Sequence, residues 1–176
     1  MRPGKVGGIA FLVAALPLGG QTQPRNAKIQ ELLRFTLNET AAQVRERMGP
    51  PTRIDDSVAG YLSWQYDHPA DERNDDNSPP AWFICIRAAG GQILSVTRNF
   101  DTPQDVDDLF PQAETAAHHW PSSDAPQFSV RLRRLQSETL LLAMGSGTRG
   151  ERTTQLVLIR RSALKTFMPW LAEQME

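Results

Sequence analysis

The sequence predicts an α+β fold in which short helices pack on antiparallel β-sheet, arranged as two tandem units of one helix and three strands. Segment 40–48 has helical spacing and stops at Gly49, which two prolines follow. The strand-like segments are joined by hairpin-length links, and such links make antiparallel pairs. Segments 40–44 and 102–106 share a capping threonine and a first core valine, a faint internal repeat.

Residues 1–20 predict a Sec-type signal peptide. Arg2 and Lys5 precede an apolar run of about a dozen residues from Val6 to Leu18, which is too short to span a bilayer comfortably. Small residues follow before Gln21. We therefore expect a periplasmic or secreted bacterial protein. Residues 16–20 are similar to the motif that precedes the acylated cysteine of a bacterial lipoprotein. That cysteine is missing, so no lipid anchor is predicted. The alternative is a buried N-terminal strand or helix.

Composition narrows the class of protein. The chain has 176 residues and a net charge of −1, so no long-range field favours nucleic acid as a partner. A single cysteine, Cys85, excludes a disulfide within the chain. It alternates with apolar neighbours, which favours a small buried hydrophobe over a reactive thiol.

The first predicted unit covers residues 40–100. Residues 21–39 before it read as a polar lead-in and a short helix. Thr40 and Gln43 have the spacing of a capping box. Three strands follow, at 61–66, 82–87 and 93–100, with Ile54 isolated before them, a polar loop at 68–80 and a Gly-Gly turn between the last two strands.

The second predicted unit covers residues 101–176 and is packed on the first. Thr102 and Pro103 are suited to open a helix that buries Val106, Leu109 and Phe110. Residues 112–127 read as a loop with a helical turn at 114–118. Strands are predicted at 128–135, 139–144 and 153–161, before a last helix that Pro169 bends or restarts.

No segment predicts a cofactor or a metal site. His118 and His119 are adjacent, so both rarely bind one ion, and a solvent-facing loop is the simpler interpretation. The acidic run 71–77 lacks the glycine and glutamate of a calcium loop. Ser146 lacks the Gly-x-Ser-x-Gly context of a nucleophile. No catalytic residue is predicted, although an uncharacterised enzyme stays open because sites assemble from distant residues.

A binding surface is the remaining candidate. Aromatic residues dominate binding hot spots, and arginines on paired strands make a basic face for an anionic partner. The simpler interpretation is core for the aromatics and a solvated sheet face for the arginines. The candidate residues are Tyr61, Trp64, Tyr66, Trp82, Arg131, Arg133 and Arg160.

The helix with its glycine-proline stop, followed by Trp64-x-Tyr66 and a glycine-turn hairpin, resembles the BamE/SmpA family of outer-membrane assembly lipoproteins. It is also similar to the repeat unit of the β-lactamase inhibitor proteins. The resemblance covers about residues 33–100. It implies helices on one face of an antiparallel sheet and action by binding protein or lipid. The family's acylated cysteine is absent, and a single domain of the family has no counterpart to the chain after Asp101.

The function predicted is that of an exported, non-catalytic binding or assembly factor of the bacterial cell envelope. Its expected partner is an envelope protein, with anionic lipid as a second contact, and neither nucleic acid nor a transmembrane span is expected. The alternative is a secreted inhibitor that binds an enzyme through an aromatic sheet face.

Overall fold

The computed structural model describes residues 27–68, 79–110, 114–118, 128–136, 138–146 and 152–175. Eight strands form one antiparallel sheet in the spatial order β1-β2-β3-β4-β8-β7-β6-β5. The strands are β1 (Arg53–Asp55), β2 (Tyr61–Tyr66), β3 (Trp82–Arg87), β4 (Ile93–Gln104), β5 (Glu114–His118), β6 (Phe128–Gln136), β7 (Thr139–Ser146) and β8 (Arg152–Arg160).

The predicted fold class of helices on two tandem three-stranded units is wrong, because one continuous sheet dominates the structure. β4 is twelve residues long and runs past position 100, where the first unit was expected to end. Its free edge pairs with β8 from Ser95↔Ile159 to Asn99↔Gln155. If β4 were the last strand of a first sheet, the backbone N–H and C=O groups on its outer side would be unpaired. β8 forms hydrogen bonds with these groups, so the second half of the chain continues the same sheet.

The helices are short and lie at the two ends of the described chain. α1 (Ala27–Leu33) and α2 (Ala41–Met48) precede the sheet, and α3 (Leu164–Phe167) and α4 (Pro169–Gln174) follow it. The capping box at α2 is confirmed: the Gln43 N–H donates to the Thr40 hydroxyl, and the Thr40 N–H donates to the Gln43 side chain at 2.8 Å. Such short helices gain their stability from the sheet beneath them.

The sheet has a buried cluster on each face. We call the side of the sheet that α1 and α2 cover the N-terminal face. On it, Trp64, Ile84, Val96 and Leu158 pack in one cluster with buried helix residues such as Leu32 and Val44. We call the opposite side the C-terminal face.

The C-terminal face is covered by the last helices over only part of its width. Val130, Leu142 and Val157 pack there beneath Leu164 and Leu171. The strands β2 and β3, at the other end of the sheet, present half-buried side chains on this face. The uncovered part of the C-terminal face is where a groove forms.

Three local predictions are also wrong. Residues 102–104 continue β4, and only a 3₁₀ turn at Asp107–Leu109 replaces the expected helix, although Val106 and Phe110 are buried as predicted. Residues 114–118 form β5 instead of a helical turn, because they pair with β6. Ile54 belongs to β1, which pairs with β2. In each case a neighbouring strand supplied hydrogen bonds that the local sequence does not reveal.

Pro169 restarts the last helix, one of the two alternatives that the sequence left open, and occupies its first turn. A 3₁₀ turn at Arg161–Ala163 leads into α3 without a side-chain cap. Within the described ranges, no helix is both long enough and apolar enough to cross a membrane. The predicted signal peptide and the acidic run 71–77 lie outside the described residues.

Candidate functional site

A groove crosses the C-terminal face of the sheet where the last helices do not cover it. Its cavity volume is about 410 Å³, within the range of pockets that hold one small ligand. The floor is formed by β2, β3, β4 and β8. One rim is the turn after β1, at Val58, and the other is the end of α3, at Phe167 and Met168.

Strand register places a row of small side chains along the floor of this groove. Ser63 lies opposite Cys85, and Cys85 lies opposite Ser95. The row continues to Asp55 on β1 at one end and to Ile159 on β8 at the other. Residues directly opposite in an antiparallel sheet point to the same face, so the five side chains line up across the strands.

Larger side chains border this row. The next row toward the far end of β2 contains Phe83 and Thr97, which are opposite each other. On the other border, Tyr61 packs edge-on against Phe167, with ring centroids 5.2 Å apart. The groove is therefore a trough with small residues in its floor and aromatic rings on both sides.

The charged groups of the site lie at the β1 end. Arg53 and Asp55 are two residues apart on β1 and therefore point to the same face. The Ser57 N–H donates to Oδ1 of Asp55 at 2.9 Å. This bond, with help from the Ser57 hydroxyl and the charge of Arg53, lowers the pKa of Asp55 below its ordinary value. Asp55 is thus ionised at neutral pH, beside a positive neighbour.

Cys85 lies in the middle of the floor and is a poor nucleophile there. Burial raises the pKa of its thiol to about 11, because a thiolate loses solvation in an apolar site. The thiolate is the reactive form, so little of it exists at neutral pH. Among the described residues that line the groove there is also no imidazole to activate a hydroxyl. The groove is therefore better equipped to bind than to react.

The alkylation rate of Cys85 is expected to rise tenfold for each pH unit from 7 to 9.5 without levelling off. The reason is that the thiolate fraction grows in this way as long as the pH stays below the raised pKa of about 11. Cys85 is the single cysteine of the chain, so iodoacetamide labelling followed by mass spectrometry reports it directly. In denaturant the rate should level off near pH 8.5, the ordinary thiol pKa. Levelling below pH 9 in the folded protein would contradict the burial of this thiol.

The aromatic residues predicted as a binding surface are divided between the two faces. Trp64, Tyr66 and Trp82 are buried in the core of the N-terminal face, and the Tyr66 hydroxyl donates to the carbonyl of Gly49 at 3.3 Å. Burial raises the pKa of Tyr66. Only Tyr61 reaches the groove, where it is half-buried.

The predicted arginines hold chain segments against the N-terminal face. Arg131 pairs with Asp107 and stacks on the ring of Phe110 at 5.2 Å. Arg133 donates to the carbonyl of Leu109 at 2.9 Å. Both therefore fasten the 3₁₀ turn to β6.

Arg160 does the same for the segment between α1 and α2. It donates to the carbonyls of Ile93 and Leu37 and to the side chain of Asn38. The structure does not bring the three arginines and Tyr61 together as one surface.

The metal and hydrolase candidates gain no support. Within the described ranges, no group of three or more His, Cys, Asp and Glu side chains is gathered to hold an ion. His118 ends β5, but its side chain and the whole of His119 lie outside the described residues, as does the loop after Ser146. His68, which the sequence did not single out, is buried with its Nε2 3.3 Å from Oδ1 of Asp101.

Comparison of the chain with protein-family models, with curated proteins and with solved structures found no match. The resemblance to the BamE/SmpA family therefore stays a prediction, as does the export of the protein.

Apart from Tyr61, the residues that line the groove were not among the predicted binding residues. The alternation in β2 sends the side chains of Ser63 and Trp64 to different faces of the sheet. The same alternation in β3 sends those of Cys85 and Ile84 to different faces. That signal shows which residues share a face within one strand. It does not give the register between strands, and the register is what aligns Ser63, Cys85 and Ser95 in one row.

Proposed function

We propose that the protein is a non-catalytic binding factor that takes a small apolar guest molecule into the groove on its C-terminal face. The observation that supports the proposal is the groove itself: a recess of about 410 Å³ with an aromatic border and, at the centre of its floor, the small uncharged side chains of Ser63, Cys85 and Ser95. Ligand pockets in proteins are commonly of this size and are lined mainly by apolar groups with a few polar ones.

The size of the exposed apolar surface favours a small guest over a flat protein partner. A stable protein interface buries about 800 Å² on each side. Among the described residues, the large hydrophobic side chains that are exposed are Ile54, Val58 and Leu135. Only Val58 borders the groove, since Ile54 pairs with Trp64 and points to the N-terminal face. This is a small footprint for such an interface.

Binding to the groove is tested with N-phenyl-1-naphthylamine, an uncharged dye that fluoresces when it leaves water. We expect saturable binding of one dye molecule per chain. Ser95→Leu should weaken it by about tenfold or more, because the added side chain fills the centre of the trough. Ser162→Leu is the matched control, since Ser162 is exposed and outside the groove.

Two results would overturn the proposal: dye binding that never saturates, or equal affinity in the wild type and in Ser95→Leu. Circular dichroism checks that the variants are folded. If Ser95→Leu fails to fold, Ser63→Leu makes the same change on β2, nearer the edge of the sheet.

The second candidate function is binding of a protein partner. The partner would be an envelope protein or, if this chain is an inhibitor, an enzyme. It is favoured by Ile54 and Val58, which are 56% and 53% exposed beside an edge strand. Side chains of this kind can anchor a partner. Ile54→Ser would weaken such an interaction and leave dye binding in the groove intact, because Ile54 pairs with Trp64 and therefore points to the N-terminal face.

A further inference from the structure

We propose that the guest of the groove is an unbranched alkyl chain with an uncharged polar head group, and that it lies across the strands from Asp55 to Ile159. This inference rests on the proposed function, since it names the class of guest for the same groove. Three features of the trough carry it: its shape, its closed end and the balance of charge at its open end.

The shape of the trough fits a slender chain. The row of Ser63, Cys85 and Ser95 continues on both sides, to β1 and to β8, and thus crosses five strands. Neighbouring strands are about 4.8 Å apart, so the row is about 19 Å long. The rings of Tyr61 and Phe83 border it, and they leave the small side chains as the lowest line of the floor.

The β8 end of the trough is apolar and closed. Ile159 is buried there within the cluster of the C-terminal face. Ala163 and Leu164, at the start of the last helices, belong to the same buried cluster. Phe167 packs on Tyr61 along the border of the trough, and Met168, the next residue, also lines the groove. Burial of apolar surface is favourable, and a methionine adapts its shape to the group against it. We therefore place the tail of the guest at this end.

The β1 end of the trough is open and has both signs of charge. Arg53 and Asp55 point to the same face, and Asp55 is exposed. A carboxylate head group would be attracted by Arg53 and repelled by Asp55. An ammonium head group would be attracted by Asp55 and repelled by Arg53. A charged head also gives up solvation near an apolar site. A hydroxyl or ester head loses less solvation and can hydrogen-bond to either side chain, so the site favours a neutral head.

The experiment uses linear primary alcohols of increasing length, with the carboxylate and trimethylammonium compounds of the same chain length as comparisons. The readout is protection of Cys85 from iodoacetamide at pH 9, because a chain lying along the row covers its thiol. Each added methylene group should lower the Kd about fourfold until the chain is as long as the trough. The alcohol should bind about tenfold more tightly than either charged compound.

The outcomes separate this inference from the function on which it rests. If the charged compounds protect Cys85 as well as the alcohol does, the neutral head is overturned and guest binding stands. If a branched or fused-ring alcohol of equal carbon number protects equally well, the linear chain is overturned. If no compound protects Cys85 and the dye also fails to bind, the proposed function itself fails. Ser63→Leu should abolish protection by the alcohols, and Ser162→Leu should not.

Discussion

Leu158→Ala is expected to lower the free energy of unfolding by about 2–5 kcal/mol, the usual cost of emptying a buried leucine site. Leu158 is 2% exposed. It lies on β8 between its register partners Val96 on β4 and Leu141 on β7. The cavity would open at the seam where the two halves of the chain join in one sheet. Because the sheet is continuous, both halves should lose stability together in a single transition.

Urea unfolding followed by two signals tests this prediction. Tryptophan fluorescence reports the core of β2 and β3 through Trp64 and Trp82 once the other two tryptophans, Trp120 and Trp170, are replaced by phenylalanine in every variant. Far-ultraviolet circular dichroism reports the whole sheet. Thr154→Ala is the control on the same strand; since Thr154 is exposed, its effect should stay within about 0.5 kcal/mol. Two separate transitions, of which only one responds to Leu158→Ala, would support tandem units and contradict the single sheet.

Trp82→Ala is expected to lower the free energy of unfolding by about 3–5 kcal/mol while leaving the affinity of the groove for its guest unchanged. Trp82 is 6% exposed. Its ring centroid is 5.4 Å from that of Phe35, and the guanidinium of Arg98 lies 5.0 Å from the ring. These contacts are all on the N-terminal face, and the groove is on the other. The change should therefore empty a core site without touching the groove.

The next residue of the same strand makes the comparison. Phe83 points to the opposite face, where it borders the trough. Phe83→Ala should cost about 1 kcal/mol of stability but weaken dye binding by about tenfold. Chemical denaturation gives the stabilities, and dye titration below the unfolding transition gives the affinities. If Trp82→Ala weakens binding while Phe83→Ala does not, the groove has been placed on the wrong face.

The sequence predicted well what depends on neighbouring residues. Thr40 and Gln43 form the capping box because both partners are three residues apart on one helix turn. The alternation in β2 correctly divided Trp64 from Ser63, because the pleat sends successive side chains to opposite faces. Pro169 restarts a helix because its missing N–H is harmless in the first turn.

Prediction from the sequence was wrong where a residue's hydrogen-bonding partner lies in a distant segment of the chain. The signals at Thr102 and Pro103 suited the start of a helix, but β4 continues to Gln104, which pairs with Thr153 on β8, about fifty residues further along the chain. Arg160 was expected on a basic surface, yet its guanidinium binds carbonyls at Leu37 and Ile93. No local pattern contains this information, because a long side chain can satisfy backbone groups in any segment that packs beside it.

The sequence by itself therefore determined the caps, the turns and the alternation that give each strand an inner and an outer face. Tertiary structure decided that the strands form one sheet, and it aligned Ser63, Cys85 and Ser95 into the floor of a groove. The physical reason is that strand pairing is set by hydrogen bonds and packing between distant segments. A shift of one residue in register would turn a strand's small side chains to the other face.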